Sequence, residues 1–169
     1  MNALLELIQS RRSVGALSGQ PVSRADVEQV LRAALAAPNH HDTHPWRFVV
    51  IAGTARGEIS HRLERAPVVI ACLVRGTHAG VVQEREDRDA VAAAIQNMLL
   101  AAHASGLASI WRTGEMVDDP AVAATLGLAD GDRIVGFVYL GYPLTPLSPR
   151  VVSETDLSDA VEWRWPTTP

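Results

Sequence analysis

Cysteine is almost missing from the 169 residues: Cys72 stands alone, so no internal disulfide can form, and a reducing, cytoplasmic setting is expected. Aromatic residues are scarce at 5%, while the hydrophobic share of 47% comes largely from Ala, Val and Leu, which favours close-packed helices over an aromatic-rich sandwich. Positive charge is not in excess. With a net charge of −4 and no basic stripe interleaved with aromatics, the chain has no electrostatic footprint for nucleic acid. No run is long and apolar enough to span a bilayer, and Met1 to Ser10 contains Glu6 and lacks the cationic start and continuous apolar core of a signal peptide. Internal repeats and low-complexity tracts are absent. So are G-x-G-x-x-G after a strand, the P-loop and the G-x-S-x-G elbow, which removes the usual dinucleotide, triphosphate and esterase signatures. What remains fits one domain over residues 1–169, and 20% charged residues exclude wholesale disorder.

Hydrophobic spacing orders that domain. Leu4, Leu5, Leu7 and Ile8 mark one face of a short first helix. Ser23 is a suitable N-cap with Asp26 in the capping-box position, and Val27, Val30, Leu31 and Leu35 follow at helical spacing up to Pro38. Strands are predicted over residues 46–51, 68–74, 107–111 and 133–141, with a short helix from about Ala55 to Glu64 and another from Asp118-Asp119-Pro120 to near Gly127. The longest helix is predicted from about Asp89 to Ser105, with Val91, Ile95, Met98, Leu99 and Ala102 on one face, Ala on most others, and Gly106 as C-cap. Small side chains on that helix suit close approach by a copy of itself. Trp163 and Trp165, in a tail with Pro146 and Pro149, lack the periodicity to form a core alone. The result is an α+β or mixed α/β domain with four or five strands.

Chemistry concentrates in three places. Arg11-Arg12-Ser13, just before Gly15, combines two fixed cations with a hydroxyl, a set suited to holding an anion bidentately, although cations at a helix C-terminus are favoured by the dipole in any case. His40, His41 and His44 lie between Pro38 and Pro45, so they sit on a loop rather than one helical face, and no catalytic Glu follows His40. A polar loop whose histidines donate to a ligand or satisfy each other is expected there, not a metal. The third place is Trp111-Arg112-Thr113-Gly114. Cys72 falls in an apolar run and reads as core filler, and Ser13, Ser23 and Ser109 have no pattern supplying a base and an orienting acid.

Taken in order, Arg-Arg-Ser, Ala-Pro-x-His, x-Pro-Trp-x-Phe-x-Val-Ile, a long central helix, Gly-x-x-Ser-x-Trp-Arg-Thr-Gly and Arg-Ile-Val-Gly-Phe-Val-Tyr-Leu-Gly resemble the FMN-dependent nitroreductase family. The likeness spans roughly residues 3 to 145 and is nearest to its small bacterial members. That resemblance implies an α+β sandwich whose central antiparallel or mixed sheet is flanked by helices, in a domain-swapped homodimer with FMN at the interface. It implies that Arg11, Arg12 and Ser13 hold the FMN phosphate, ribityl chain and pyrimidine edge. His40 would reach towards flavin bound mainly by the partner subunit, and Trp111, Arg112, Thr113 and Gly114 would form the second flavin segment. The implied reaction is two-electron transfer from NADH or NADPH through flavin to nitroaromatics, quinones or other electron-poor acceptors. A fixed cation at the edge where reduction leaves negative charge makes flavin easier to reduce, and arginine cannot lose that charge. Gly114, without a Cβ, would let backbone approach a flat ring.

Two departures from the family matter. Only one short helix fits between Ile51 and Pro67, where larger relatives carry a longer insertion near the substrate, and Arg150 is the one counterpart to a C-terminal cation that reaches the phosphate. The competing readings are a flavin-binding or flavin-remodelling protein without nicotinamide-dependent activity, and a dimeric scaffold without FMN.

Overall fold

The computed structural model describes residues 2–77, 79–148, 150 and 157–164. Met1, Pro149 and Trp165 lie outside these. Four strands, β1 (Trp46–Ala52), β2 (Val68–Val74), β3 (Ala108–Arg112) and β4 (Arg133–Gly141), form one sheet in the order β1-β2-β4-β3, and all three pairings are antiparallel. β2 and β4 are almost wholly apolar and buried along their length, as central strands covered on both faces must be.

One face carries α1 (Ala3–Ser10), α2 (Arg24–Ala34) and the long α4 (Val81–Ala104). The core there joins Val27 and Val30 of α2, Val91, Ile95 and Met98 of α4, and Ile70, Cys72, Val138 and Leu140 of the sheet. The other face is closed by α3 (Ala55–Ile59), a 3-10 turn over His61–Arg65, and α5 (Pro120–Thr125), around Leu63, Leu73, Met116, Phe137 and Tyr139. Ser23 caps α2 as expected: its hydroxyl accepts from Asp26 N–H at 3.1 Å and donates to the Asp26 carboxylate at 2.7 Å. Cys72 is fully buried and burial pushes its thiol far above the ordinary range, which leaves it as packing.

Three boundaries differ from expectation by more than two residues. α4 begins at Val81, not near Asp89, because the charged run Glu84 to Asp89 is helix-favouring and mostly solvent-facing, with Asp87 and Ala90 turned inward. The helix expected from Ala55 to Glu64 is broken at Ser60, which is extended; its hydroxyl accepts from Arg62 N–H at 3.3 Å and starts the 3-10 turn. α2 ends at Ala34, short of Pro38. In the tail, Trp163 is 69% exposed.

Candidate functional site

The chain leaves α1 at Arg11 and turns extended. Val14 N–H donates to Ser109 O at 3.0 Å, Leu144 N–H to Ala16 O at 2.9 Å, and Ser18 N–H to Tyr142 O at 2.9 Å, so residues 14–18 run beside the start of β3 and the exit from β4. A Cβ on Gly15 would lie 3.0 Å from Arg112 Nη2. The bare backbone at that point is what lets the Arg112 guanidinium lie against the first segment. In this way residues about a hundred apart in sequence, the Arg-Arg-Ser segment and the end of β3, become one locality.

At the outer end of this locality, Arg12 Nη2 donates to Ser148 O at 2.8 Å and Arg150 Nη1 donates to Arg11 O at 3.0 Å. Ser10, Arg12, His103, Ser109, Ser148 and Arg150 line a small cavity of about 160 Å³. His103 Nε2 sits 3.0 Å from Ser10 Oγ. Burial first, and then the Arg11 and Arg12 guanidiniums, hold His103 below the ordinary imidazole value of 6.5. Its neutral form is the one the fold favours, so its contribution to stability is complete above pH 6.5 and is lost as pH falls through the lowered folded value. Between pH 7.5 and about 5.5 the urea midpoint of the wild type should therefore fall further than that of His103→Gln; parallel curves would show that His103 does not titrate this way.

Strand alternation sends Trp111 and Arg112 to opposite faces. Trp111 packs towards α4 and lies over Gly136 of β4. Arg112 takes the other face, with its guanidinium carbon 5.5 Å from the centroid of Tyr139. There, Arg62, Arg65, Arg112, Thr113, Gly114 and Tyr139 line a cavity of about 260 Å³. The Tyr139 hydroxyl donates to Arg62 O at 3.2 Å; burial raises its pKa, and Arg112, Arg65 and Arg62 oppose that rise. Arg62 and Arg65 had no assigned role in the sequence. Their i, i+3 spacing just before Pro67 was the available signal, since it places two cations on one side of a short turn.

Buried polar atoms are nearly always paired, so the exceptions are informative. Among the described residues three buried side-chain nitrogens have no hydrogen-bond partner: Arg11 Nη1, Trp111 Nε1 and Arg112 Nε. All are donors and all belong to the two segments that Gly15 brings together. Ser13, Thr113 and Gly114 are exposed at the same locality.

His40 is elsewhere. Its Nε2 lies 3.9 Å from Glu86 Oε2 near the start of α4, whereas Ser10 meets His103 near the end of that helix. At 1.5 Å per residue, the two points are about 26 Å apart along the axis, so a single chain does not gather His40 with Arg11–Ser13. His41, Asp42 and His44 have φ of 54°, 55° and 46°, a rare conformation for residues with a Cβ. The strained loop is pinned by Asn39 Oδ1, which accepts from His44 N–H at 3.0 Å, and by Thr43 Oγ1, which donates to Asp87 Oδ1 at 2.9 Å. Gln83 Nε2 donates to the same oxygen at 2.9 Å, leaving the Asp87 carboxylate only 3% exposed. Asp87 was hidden in a charged run; once α4 is extended to Val81, its spacing to Ala90, Val91 and Ala94 puts it on the buried face.

Comparison with known proteins bears on the family and the fold. The profile of the Nitroreductase family matches residues 8–63 and 55–142. YdjA of Escherichia coli strain K12, provisionally named an NAD(P)H nitroreductase, is 32% identical over 160 residues, covering 82% of this chain and 87% of its own. A nitroreductase-like family protein of Bacillus cereus shares the fold with a TM-score of 0.84 at 24% identity, over 96% of each chain. A Desulfovibrio desulfuricans protein, provisionally described as a nitroreductase and solved with FMN, has a TM-score of 0.82 at 29% identity, over 98% of this chain and 99% of its own. The order of the Arg-Arg-Ser and Trp-Arg-Thr-Gly segments, the antiparallel sheet that joins them and the extent of these matches lead to one assignment: the chain belongs to the nitroreductase family.

Proposed function

We propose that this protein is a homodimeric FMN-dependent oxidoreductase that passes hydride equivalents from NADH or NADPH to nitroaromatics, quinones or other electron-poor small molecules. The observation that carries the reading is the pair of buried, unpartnered guanidinium donors at Arg11 and Arg112, since an acceptor-rich ligand is what such donors require. Bound FMN would supply the two-electron chemistry. Arg11 and Ser13 hold its phosphate end, beside Arg12, which is tied to Ser148, and Arg150, which is tied to Arg11. Arg112 places a permanent cation at the pyrimidine edge, and the exposed backbone of Thr113 and Gly114 offers a surface for a flat ring. Trp111 contributes through its main chain, its indole being laid over Gly136.

Two features support the dimer. Leu4, Leu5 and Ile8 of α1 are 60%, 51% and 43% exposed, beside an apolar groove formed by Leu7, Ala33, Ala36, Leu100, Ala101 and Ala104. The distance from Arg11 to His40 also leaves His40 free to complete the site of a second copy. The D. desulfuricans relative solved with FMN favours the same cofactor here.

Purified protein should be yellow, release FMN and no FAD on heating, and sediment as a dimer at low micromolar concentration. Anaerobic mixing with NADH or NADPH should bleach it. Bound FMN that neither nucleotide reduces would favour the flavin-binding or flavin-remodelling reading, and protein that stays colourless after incubation with FMN would be a scaffold.

A further inference from the structure

A larger cavity, about 670 Å³, opens between the start of α4 and the far end of β3. Its size is that of a small-molecule site. Arg75, Arg85, Arg88 and Arg133 stand on its rim, against two carboxylates, Glu84 and Asp118. The chain as a whole carries a net charge of −4, so gathering four guanidiniums here runs against the overall balance. All four are exposed; the side chains of Arg75, Arg85 and Arg88 make no ion pair or hydrogen bond among the described residues, and the Arg133 guanidinium donates only to the carbonyl of Asp132 at 2.8 Å. Elsewhere on this surface Arg24 pairs with Glu28 and Arg62 with Glu115.

The floor is apolar, built from Val74, Val117, Ile134 and Val135. Val81, which is 80% exposed, stands at the entrance in the first turn of α4. That helix has no side-chain cap at Gly80, so its free N–H groups and the positive end of its dipole add to the same field. An apolar floor under a cationic rim fits a molecule with a flat ring at one end and phosphates at the other. The position matters as much as the composition: Thr113 lines both this cavity and the one that contains Arg112.

We propose that this cavity binds the phosphate-bearing part of the pyridine nucleotide, with Arg85 and Arg88 as its principal phosphate contacts, so that the nicotinamide can lie towards Thr113. The proposal rests on the reading that the protein uses a nicotinamide co-substrate, and it goes further in locating where that co-substrate is held. Guanidinium suits the task because its fork pairs with phosphate oxygens bidentately and cannot be deprotonated.

The test is calorimetric titration of the purified protein, as isolated, with 2′,5′-ADP at low ionic strength, for the wild type, Arg85→Ala/Arg88→Ala and Arg85→Lys/Arg88→Lys. Both side chains are exposed, and equal urea midpoints would verify that the fold is retained. Affinity should fall at least tenfold in the alanine pair and recover in part in the lysine pair. The same alanine pair should raise the KM for NADPH at least tenfold, with the loss falling on KM rather than kcat, and 2′,5′-ADP should compete with NADPH and not with the acceptor. Equal affinity in all three proteins, no binding to the wild type, or competition with the acceptor alone would overturn the proposal. Colourless protein would instead count against the flavin reading, and the titration, which does not depend on colour, keeps the two failures apart.

Discussion

Arg112→Ala should lower the two-electron midpoint potential of the bound flavin by about 30 to 65 mV, with the affinity for oxidised FMN little changed, while Arg11→Ala should weaken FMN binding roughly 10- to 150-fold and leave the potential where it was. Both figures come from one source. A charge-assisted contact contributes about 1.5 to 3 kcal/mol, and the question is whether that contact senses the redox state. A phosphate carries the same charge in either state, so removing its partner penalises both alike. Arg112 stands apart from Arg11 and Arg12, on the face with Tyr139, Arg62 and Arg65, where negative charge on the ring would be felt. Its removal therefore falls selectively on the reduced state. Arg12, already tied to Ser148 O, should likewise leave the potential unchanged and cause only a moderate loss in affinity when replaced by Ala. If all three variants match the wild type in both quantities, the flavin is not held between these segments.

Gly136→Ala should be the most damaging single methyl that can be added to the sheet. A Cβ there would overlap the Trp111 indole nitrogen and stand 2.7 Å from Trp111 Cδ1 and 2.9 Å from Arg112 O. The indole cannot swing away without uncovering the α4 face, and Arg112 O is fixed in the β3–β4 pairing. Overpacking of this kind costs about 3 kcal/mol, and at this chain length that is a fall in Tm of about 6 to 12 °C. Trp111→Ala removes the obstacle, so the double variant should be more stable than the sum of the two single losses implies. A Gly136→Ala protein that melts within about 1 °C of wild type would mean that the indole does not lie over β4.

Which parts of this arrangement were readable beforehand follows from the range of the forces involved. β4 was delimited to the residue because nine consecutive positions are governed by local β propensity and burial, and the Ser23 cap followed from a local side-chain bond. The Arg-Arg-Ser and Trp-Arg-Thr-Gly segments stood out by their residue types, and their flavin role came from the family resemblance. The order β1-β2-β4-β3 was not readable, since pairing of β3 with β4 rather than with β2 depends on contacts far apart in the chain. The start of α4 was missed because charged residues mark a solvated helix face and a loop equally well. Arg62 and Arg65 escaped notice for a related reason: nothing local to the 3-10 turn says that Arg112 and Tyr139 will fold against it. The separation of His40 from Arg11 could be measured only once both were seen to touch the same helix at opposite ends.

The hydrogen bond from Arg12 to Ser148 spans 136 residues of sequence. Ribosomes add about 5 to 20 residues per second, so Arg12 emerges about 7 to 27 s before the carbonyl that holds it has been made. Ser109 and Tyr142, which anchor the intervening backbone, are also late arrivals. During that interval the arginine pair is attached to α1, a helix that buries none of its residues even in the finished chain. The proposed anion site is thus among the last parts of the nascent chain to acquire its shape, and FMN added during synthesis should have nothing to stabilise until β3 and β4 have both left the exit tunnel.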